Sequence, residues 1–381
     1  MTHDPKDAAA AAVRYNRDGL VALSNTIHAH PETAWEEHRA AAWVGDALAA
    51  AGFAVTPQYL GLATALRASY GTGPFRVGLM AEYDALPGLG HSCGHNLIAA
   101  MSVGAAIALR SVADDVGMTV EVYGTPAEEG GGGKIELIDR GAFVDLDLAL
   151  LAHPAPVDVA EARPFAVAHS RIEYRGRSAH AAAYPEEGVN ANDAFLVAQL
   201  AIGLLRQQLP TNTRVHGIMT RSGDAPNTIP GRTEGRWYVR AQSLAELEKT
   251  VPRIDRCFEA GAIASGATLT IESESKPYAE FRNDQSALAS YRANAERLGR
   301  SFDATPAASR MSRASTDMGN VSQLVRAIHP YIGIGSLPTS NHQPEFAACC
   351  VGVRAEAALL DGATALAWTA IDQALARHDA V

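Results

Sequence analysis

Helical spacing of apolar residues dominates the first fifty positions and then gives way to shorter, strand-like runs. Residues 13–28 read as a helix, followed by a turn at His28-Ala29-His30-Pro31-Glu32. A second helix is expected over 36–51. There Ala40, Trp43, Val44, Ala47, Leu48 and Ala51 recur at i, i+3, i+4 and i+7, and Gly52 stands where a terminating glycine belongs. Strands follow at 53–57, 63–68 and 75–80, then a helix from Asn96 to residue 110, a strand at 119–123, a helix at 134–140 and a strand at 146–152. Strands alternating with helices predict a three-layer α/β domain with a mostly parallel sheet.

From residue 165 the rhythm changes. A strand over 167–174 is followed by a helix with Val197, Leu200, Ala201, Leu204 and Leu205 on one face. Strands at 215–220 and 234–240 come next. A helix over 244–264 then carries Leu247, Val251, Ile254 and Phe258 on one stripe, and a last strand lies at 268–272. The order β-α-β-β-α-β is that of a ferredoxin-like unit. Residues 165–276 are therefore expected to form an inserted α+β domain, taken as a lid and dimerisation element, and 1–164 with 277–381 one discontinuous domain, taken as catalytic. The α/β texture returns with a helix at 284–298, a strand at 331–335 and a helix at 352–377.

Composition changes this picture little. The chain has 381 residues, enough for two domains, and 47% of them are hydrophobic. A net charge of −10 argues against nucleic acid or an anionic membrane as partner, although a local basic pocket could still take an anionic substrate. Cys93, Cys257, Cys349 and Cys350 have no framework spacing, which fits a reducing compartment. The first residues do not read as a secretory signal, and no apolar run is long enough to span a bilayer. A cytoplasmic protein is expected.

The chemistry gathers where strands end. The run Ala81-Glu82-Tyr83-Asp84 leads through Gly90-His91-Ser92-Cys93-Gly94-His95-Asn96 into a helix. Open α/β sheets place their sites in such loops. Cys93 and His95 are two apart, too close for a usual structural zinc knuckle, so each could face a different ion or the two could share a pair. A buried cysteine beside a capping histidine is the plain alternative. Glu128-Glu129 precede four glycines after another strand, His153-Pro154 ends a third, and His342 follows a fourth. His28, His30 and His38 read as surface or capping residues. Cys93, His95, Glu129, His153 and His342, with Asp84 and Glu128 nearby, suit two divalent ions, zinc or manganese. Such ions make hydroxide available near neutral pH, and a neighbouring carboxylate can move its proton.

These motifs together resemble the aminoacylase and glutamate-carboxypeptidase superfamily of co-catalytic metallopeptidases. The likeness is strongest to its amidohydrolase branch of hippurate, auxin-conjugate and p-aminobenzoyl-glutamate hydrolases. It runs from Ile27-His28-Ala29-His30-Pro31-Glu32 to His342-Gln343-Pro344-Glu345-Phe346 and includes Asn227-Thr228-Ile229-Pro230 and Ser315-Thr316-Asp317. The resemblance implies that Cys93, His95, Glu129, His153 and His342 hold two metals. Glu128 would be general base and then acid, and Asp84 would orient a ligand. It further implies that His180 stabilises the oxyanion in the site of the other protomer and that Asn227 contacts the substrate's carboxylate side. Arg240 is taken as the carboxylate anchor, with Arg232, Arg236 and Arg313 as alternatives. Asn96 stands where many relatives carry aspartate, which leans toward the p-aminobenzoyl-glutamate and dipeptidase-like subgroup.

The expected enzyme is a dinuclear amidohydrolase acting on N-acyl- or N-aroyl-amino acids, a homodimer through the inserted domain. A dipeptidase or aminopeptidase using the same site is the alternative. A catalytically silent scaffold would have lost Glu128 or a ligand, and a cysteine-nucleophile hydrolase built on Cys93 would want its base across the fold.

Overall fold

The structure is a computed structural model that describes residues 4–302 and 314–378. The chain opens with helices α1 (Pro5–Tyr15), α2 (Arg17–Ala29) and α3 (His38–Ala50). The single helix expected over 13–28 is thus two. Asn16 interrupts it with non-helical backbone and folds its side-chain amide onto Ala12 O at 2.8 Å, the local competition that makes asparagine a helix terminator. Strands β1 (Ala54–Pro57), β2 (Leu66–Tyr70) and β3 (Phe75–Glu82) precede helix α4 (His95–Arg110). Then come β4 (Met118–Thr125), α5 (Gly133–Asp139), β5 (Leu148–Leu150) and β6 (His153–Ala155).

After an excursion through residues 165–280, the chain adds α8 (Gln285–Arg297), α9 (Met318–Leu324), β11 (Ala327–Ile328), β12 (Tyr331–Gly333), α10 (Pro344–Cys349) and α11 (Val353–His378). The main sheet has the order β1-β2-β4-β3-β5-β11. Its β4-β3-β5-β11 portion is parallel, and β1 and β2 join antiparallel at one edge. Every residue of β4 and all but one of β3 is buried, as a sheet covered on both faces requires. The strand expected over 146–152 ends early. The chain leaves the main sheet after Leu150 and pairs β6 with β12 in a separate parallel ladder, with His153 opposite Tyr331.

Contacts divide the chain into one unit of Met1–Pro164 with Phe281–Val381 and a second of Phe165–Glu280. The second holds β7 (Ala166–Arg175), α6 (Ala191–Leu205), β8 (Arg214–Arg221), β9 (Arg232–Ala241), α7 (Leu244–Ser265) and β10 (Thr268–Ser273). Its antiparallel sheet has the order β10-β7-β9-β8, so β8 and β10 are its edges.

The apolar face chosen for α6 is corrected by the structure. Ala194, Phe195, Ala198 and Ile202 are buried, whereas Leu200 and Leu204 are 67% and 68% exposed. The helix is apolar nearly all round, so helical spacing alone fits two faces equally. The aromatic Phe195 decides which is inward, stacking on Trp237 at 5.3 Å and meeting Tyr174 edge-on at 4.7 Å.

Candidate metal centre

Three loops and one ladder end bring five donor side chains together in the first unit. Gly94 lets the first loop turn into α4. It has φ +87°, and a Cβ there would lie 2.9 Å from Pro154 Cβ. Cys93 and His95 flank it. Cys93 Sγ is 3.5 Å from His153 Nε2 on β6. The second loop begins at Ala127, a non-glycine residue at φ +56° whose N–H donates to Glu37 Oε1 at 2.8 Å. Glu128 and Glu129 follow, and the loop closes so tightly that a Cβ on Gly133 would meet Pro126 O at 1.9 Å. The third loop carries His342, itself at φ +68°. The His342 N–H donates to Ser92 O at 2.9 Å, and Asn341 donates to Pro154 O at 3.1 Å, so the third loop is tied to the first loop and to β6. Strained backbone held by such ties is characteristic of functional sites.

His342 Nε2 is 3.3 Å from Glu129 Oε1. The donor atoms of Cys93, His95 and His153 lie within 4.8 Å of one another, and so do those of Cys93, Glu129 and His342. Two triads sharing one thiolate fit a pair of ions. Two further observations fit them as well. His95 Nε2 and Glu129 Oε1 are buried without a hydrogen-bond partner, although buried polar atoms are ordinarily satisfied. Asp84 holds His95 Nδ1 at 2.9 Å and accepts the Glu129 N–H at 2.9 Å, so one carboxylate orients two donors. His153 Nδ1 sits 2.8 Å from Pro154 O, which likewise turns Nε2 toward Cys93.

The electrostatics separate the two adjacent glutamates. Burial, then Glu82 and Glu129, push Glu128 well above the usual carboxylate range. Burial raises Glu129 too, but His342 overrides it and brings that carboxyl to about 2. Burial and Glu129 push the Cys93 thiol up, yet His153, His342 and His95 outweigh them and leave it at about 6. One glutamate is thus suited to carry a proton, and the other, with the thiolate, to bind a cation.

Beneath the donors lies a fully buried ion network. Lys134 Nζ is 2.6 Å from Glu82 Oε1 and 2.6 Å from Asp317 Oδ1, and the Lys134 N–H donates to Asp317 Oδ2 at 2.9 Å.

The remaining candidates belong to the second unit. His180 is exposed. Its Nδ1 accepts from the N–H groups of Ala182 and Ala183 at 3.2 Å each, so the ring proton sits on Nε2. His180 pairs with Thr228, and the Ala181 N–H donates to Asn227 O at 3.0 Å, which brings His180 and Asn227 into one pair of loops. Arg240 lies on β9 and donates to His216 Nε2 at 3.3 Å. Arg232 is committed to Glu173 and Glu234, and Arg236 to Glu274. Arg313 lies outside the described residues. In the first unit, His30 ends α2 and bonds Thr26 O, the capping role expected of it, whereas His28 is partly buried and bonds Ala347 O, neither a surface nor a capping residue.

Residues 78–370 match peptidase family M20/M25/M40. The chain belongs to that family. It is 41% identical over 382 residues to the Xaa-Arg dipeptidase of Mus musculus, covering 96% of this chain and 88% of the relative. It is 32% identical over 279 residues to one of the p-aminobenzoyl-glutamate hydrolase polypeptides of Escherichia coli (strain K12), covering 68% and 58%. In fold it superposes on the aminobenzoyl-glutamate utilization protein of Klebsiella pneumoniae with a TM-score of 0.72 at 19% identity, over 94% and 97% of the two chains. The protein is a metal-dependent hydrolase of amide bonds with the M20 fold, a mostly parallel sheet and a separate antiparallel one.

Within this M20 hydrolase, sequence reasoning passed over Lys134 and assigned no role to Glu82 or Asp317, although the last two stand inside quoted motifs. A lysine directly after a glycine run reads as a solvated loop residue. The signal available was two acidic motif residues with no assigned partner. Glu37, pushed up to about 7 by burial and then Asp84, was also missed as the residue that grips the Ala127 N–H.

Proposed function

We propose that the protein is a two-metal amidohydrolase that cleaves the bond joining an acyl or aroyl group to an amino acid with a free carboxylate. The observation that carries this reading is the pair of donor triads sharing Cys93, with Glu128 beside them: its Oε2 lies 3.9 Å from His95 Nε2. Cys93, His95, Glu129, His153 and His342 would hold zinc or manganese, and Asp84 would fix two of them in place. Divalent ions there supply Lewis acidity and lower the pKa of water. Glu128, kept protonatable by burial and by the negative charges of Glu82 and Glu129, takes the proton of the attacking water and returns it to the leaving amine. His180 presents Nε2–H as an oxyanion donor, Asn227 lies in the adjoining loop, and Arg240 anchors the substrate carboxylate.

A dipeptidase is the second reading, favoured by the 41% identity to an Xaa-Arg dipeptidase. Both readings require a carboxylate on the amine side of the bond. They differ in whether the acyl side bears a free amine.

A homodimer is part of the proposal. Leu196, Leu200 and Leu204 form an exposed stripe along α6, and the edge strand β8 adds Ile218 at 63% exposure. Arg206, just past α6, donates to Val215 O on β8 at 2.9 Å, which joins helix end and sheet edge in one surface. The inserted unit would thus dimerise and carry His180 to the partner's centre. We place the enzyme in the cytoplasm, on its four free cysteines, one of them a proposed metal ligand. No helix among the described residues is long and apolar enough to cross a membrane.

The test is amine release from N-acyl-, N-aroyl- and Xaa-Arg substrates with manganese or zinc and with chelator. Chelator-sensitive release from one class supports the reading and selects between its two forms. Glu128→Gln should keep metal and lose about 10²–10⁴-fold in kcat. Full activity in that variant would refute the assigned base.

A further inference from the structure

The Lys134 network has more to do than fill space. A lysine with no exposed side-chain surface is rare, and here both of its carboxylate partners are equally buried. It joins the last residue of β3, the first turn of α5 and the residue preceding α9. Glu82 is the partner that matters. Its Oε1 faces Lys134, while Oε2 has no hydrogen-bond partner and lies 3.6 Å from His95 Nε2. His95 has given Nδ1 to Asp84, so Nε2 is the nitrogen left for a metal. Two ligands each ~2.1 Å from one ion sit only ~3–3.4 Å apart. Glu82 Oε2 therefore stands close to the spacing of two ligands of one ion, and His95, Glu82 and Glu128 form a third group whose donor atoms lie within 4.8 Å.

We propose that Lys134 is a positioning residue that holds Glu82 back from the metal beside His95, so that this carboxylate does not add itself to the ligands. The inference rests on the two-metal reading. Its physical basis is competition. A buried carboxylate needs a cation, and Lys134 supplies one at 2.6 Å, through Oε1 rather than the Oε2 that faces His95. Asp317 holds the lysine by both its ammonium and its backbone N–H, so Lys134 cannot follow Glu82 toward the centre. A neutral side chain at position 134 would leave Glu82 with a bound ion as its nearest source of positive charge.

The experiment is a competition titration of Mn²⁺ against a chelating dye, together with metal counting, on wild type, Lys134→Met, Glu82→Gln and the double variant. Lys134→Met should bind Mn²⁺ about tenfold or more tightly, the size of change that altered metal surroundings bring. The double variant, whose amide is a poor ligand, should return to within about threefold of wild type. A lysine that merely supported the fold would give weaker binding, not tighter, so wild-type or weaker affinity in Lys134→Met overturns the proposal. So does a double variant that stays tight. Should Lys134→Met fail to fold, Glu82→Gln decides alone, because its amide still fits beside Lys134. Unchanged affinity and metal count support a withheld carboxylate, whereas a tenfold loss or a missing ion makes Glu82 an ordinary ligand and overturns the proposal. Wild-type protein that binds no divalent ion would sink the two-metal reading itself. Two ions in wild type with the wrong variant pattern would sink only the role of Lys134.

Discussion

Leu200→Glu tests assembly and catalysis in one variant. Leu200 stands in the middle of the α6 stripe and is 67% exposed in the single chain, so the substitution removes little that the monomer uses. In a two-fold dimer the position occurs twice. Burying a leucine fully is worth ~1.5–3 kcal/mol, so covering the exposed two-thirds of each copy gives ~1–2 kcal/mol, or ~2–4 kcal/mol per dimer. Desolvating two carboxylates in the same patch adds at least ~1–3 kcal/mol. The sum, ~3–7 kcal/mol, raises the dimer dissociation constant at least about a hundredfold. Sedimentation equilibrium over a dilution series should show a wild-type dimer and a Leu200→Glu monomer at the same concentrations. Because His180 is proposed to serve the partner's centre, the monomeric variant should also keep its metal and lose turnover. A wild-type chain that is monomeric at tens of micromolar, or a variant that associates as tightly as wild type, refutes the interface. A monomer with full kcat leaves the interface standing and refutes the trans role of His180.

Three further outcomes are expected. Asp84→Asn should weaken metal binding about 10–100-fold in calorimetry, because an amide NH₂ facing His95 Nδ1 puts the ring proton on Nε2 and turns a ligand into a donor; unchanged affinity would mean that Asp84 orients nothing. His169, 4% exposed on β7, is pushed down to about 3 by burial and then by Arg240, Arg236 and His216, from an ordinary 6.5. The unfolded chain therefore takes up a proton below pH 6.5 that the fold refuses until about pH 3, so this stability is full above 6.5 and lost as pH falls. The loss is ~2 kcal/mol by pH 5, and His169→Gln should remove that part of the difference between urea midpoints at pH 7.5 and 5. Phe195→Ala, which deletes the ring stacked on Trp237, should cost about 3–5 kcal/mol in unfolding free energy; a midpoint within error of wild type would show that the second core does not depend on that stack.

Much of the fold was legible because the two periods are physically distinct. The β-α-β-β-α-β order expected over residues 165–276 follows from where helical spacing starts and stops, and of the stripe Leu247, Val251, Ile254 and Phe258 on α7 all are buried but Val251, which is partly so. On α6 the same method chose the wrong face, since a helix with leucines all round has no unique amphipathic direction. The split of α1 from α2 rests on one asparagine side chain, a scale below any periodicity. At the centre, Cys93, His95, Glu129, His153 and His342 could be gathered from sequence because strand ends in an open sheet converge. That rule says nothing about the helices that follow those strands. Lys134 reaches the site from the first turn of α5, and its burial depends on Asp317, which lies 183 positions away.

Glu128 and Glu129 put the same point in chemical form. They are identical in type and adjacent in sequence, and nothing in the local run Pro126-Ala127-Glu128-Glu129-Gly130 distinguishes their charges. Packing does. The positive φ at Ala127, held by Glu37, sets the direction in which the two side chains leave the loop. Glu129 is sent to His342, whose charge outweighs burial and favours the ionised form, while its backbone N–H is held by Asp84. Glu128 is sent toward Glu82, where burial and like charge favour the proton. Burial raises Glu82 in turn, but Lys134 first, then His95, His153 and His329, bring that carboxyl down to about 2. The proton affinity of the proposed base, raised first by burial, is therefore raised further by Glu82, a carboxylate paired with a lysine that has no access to solvent.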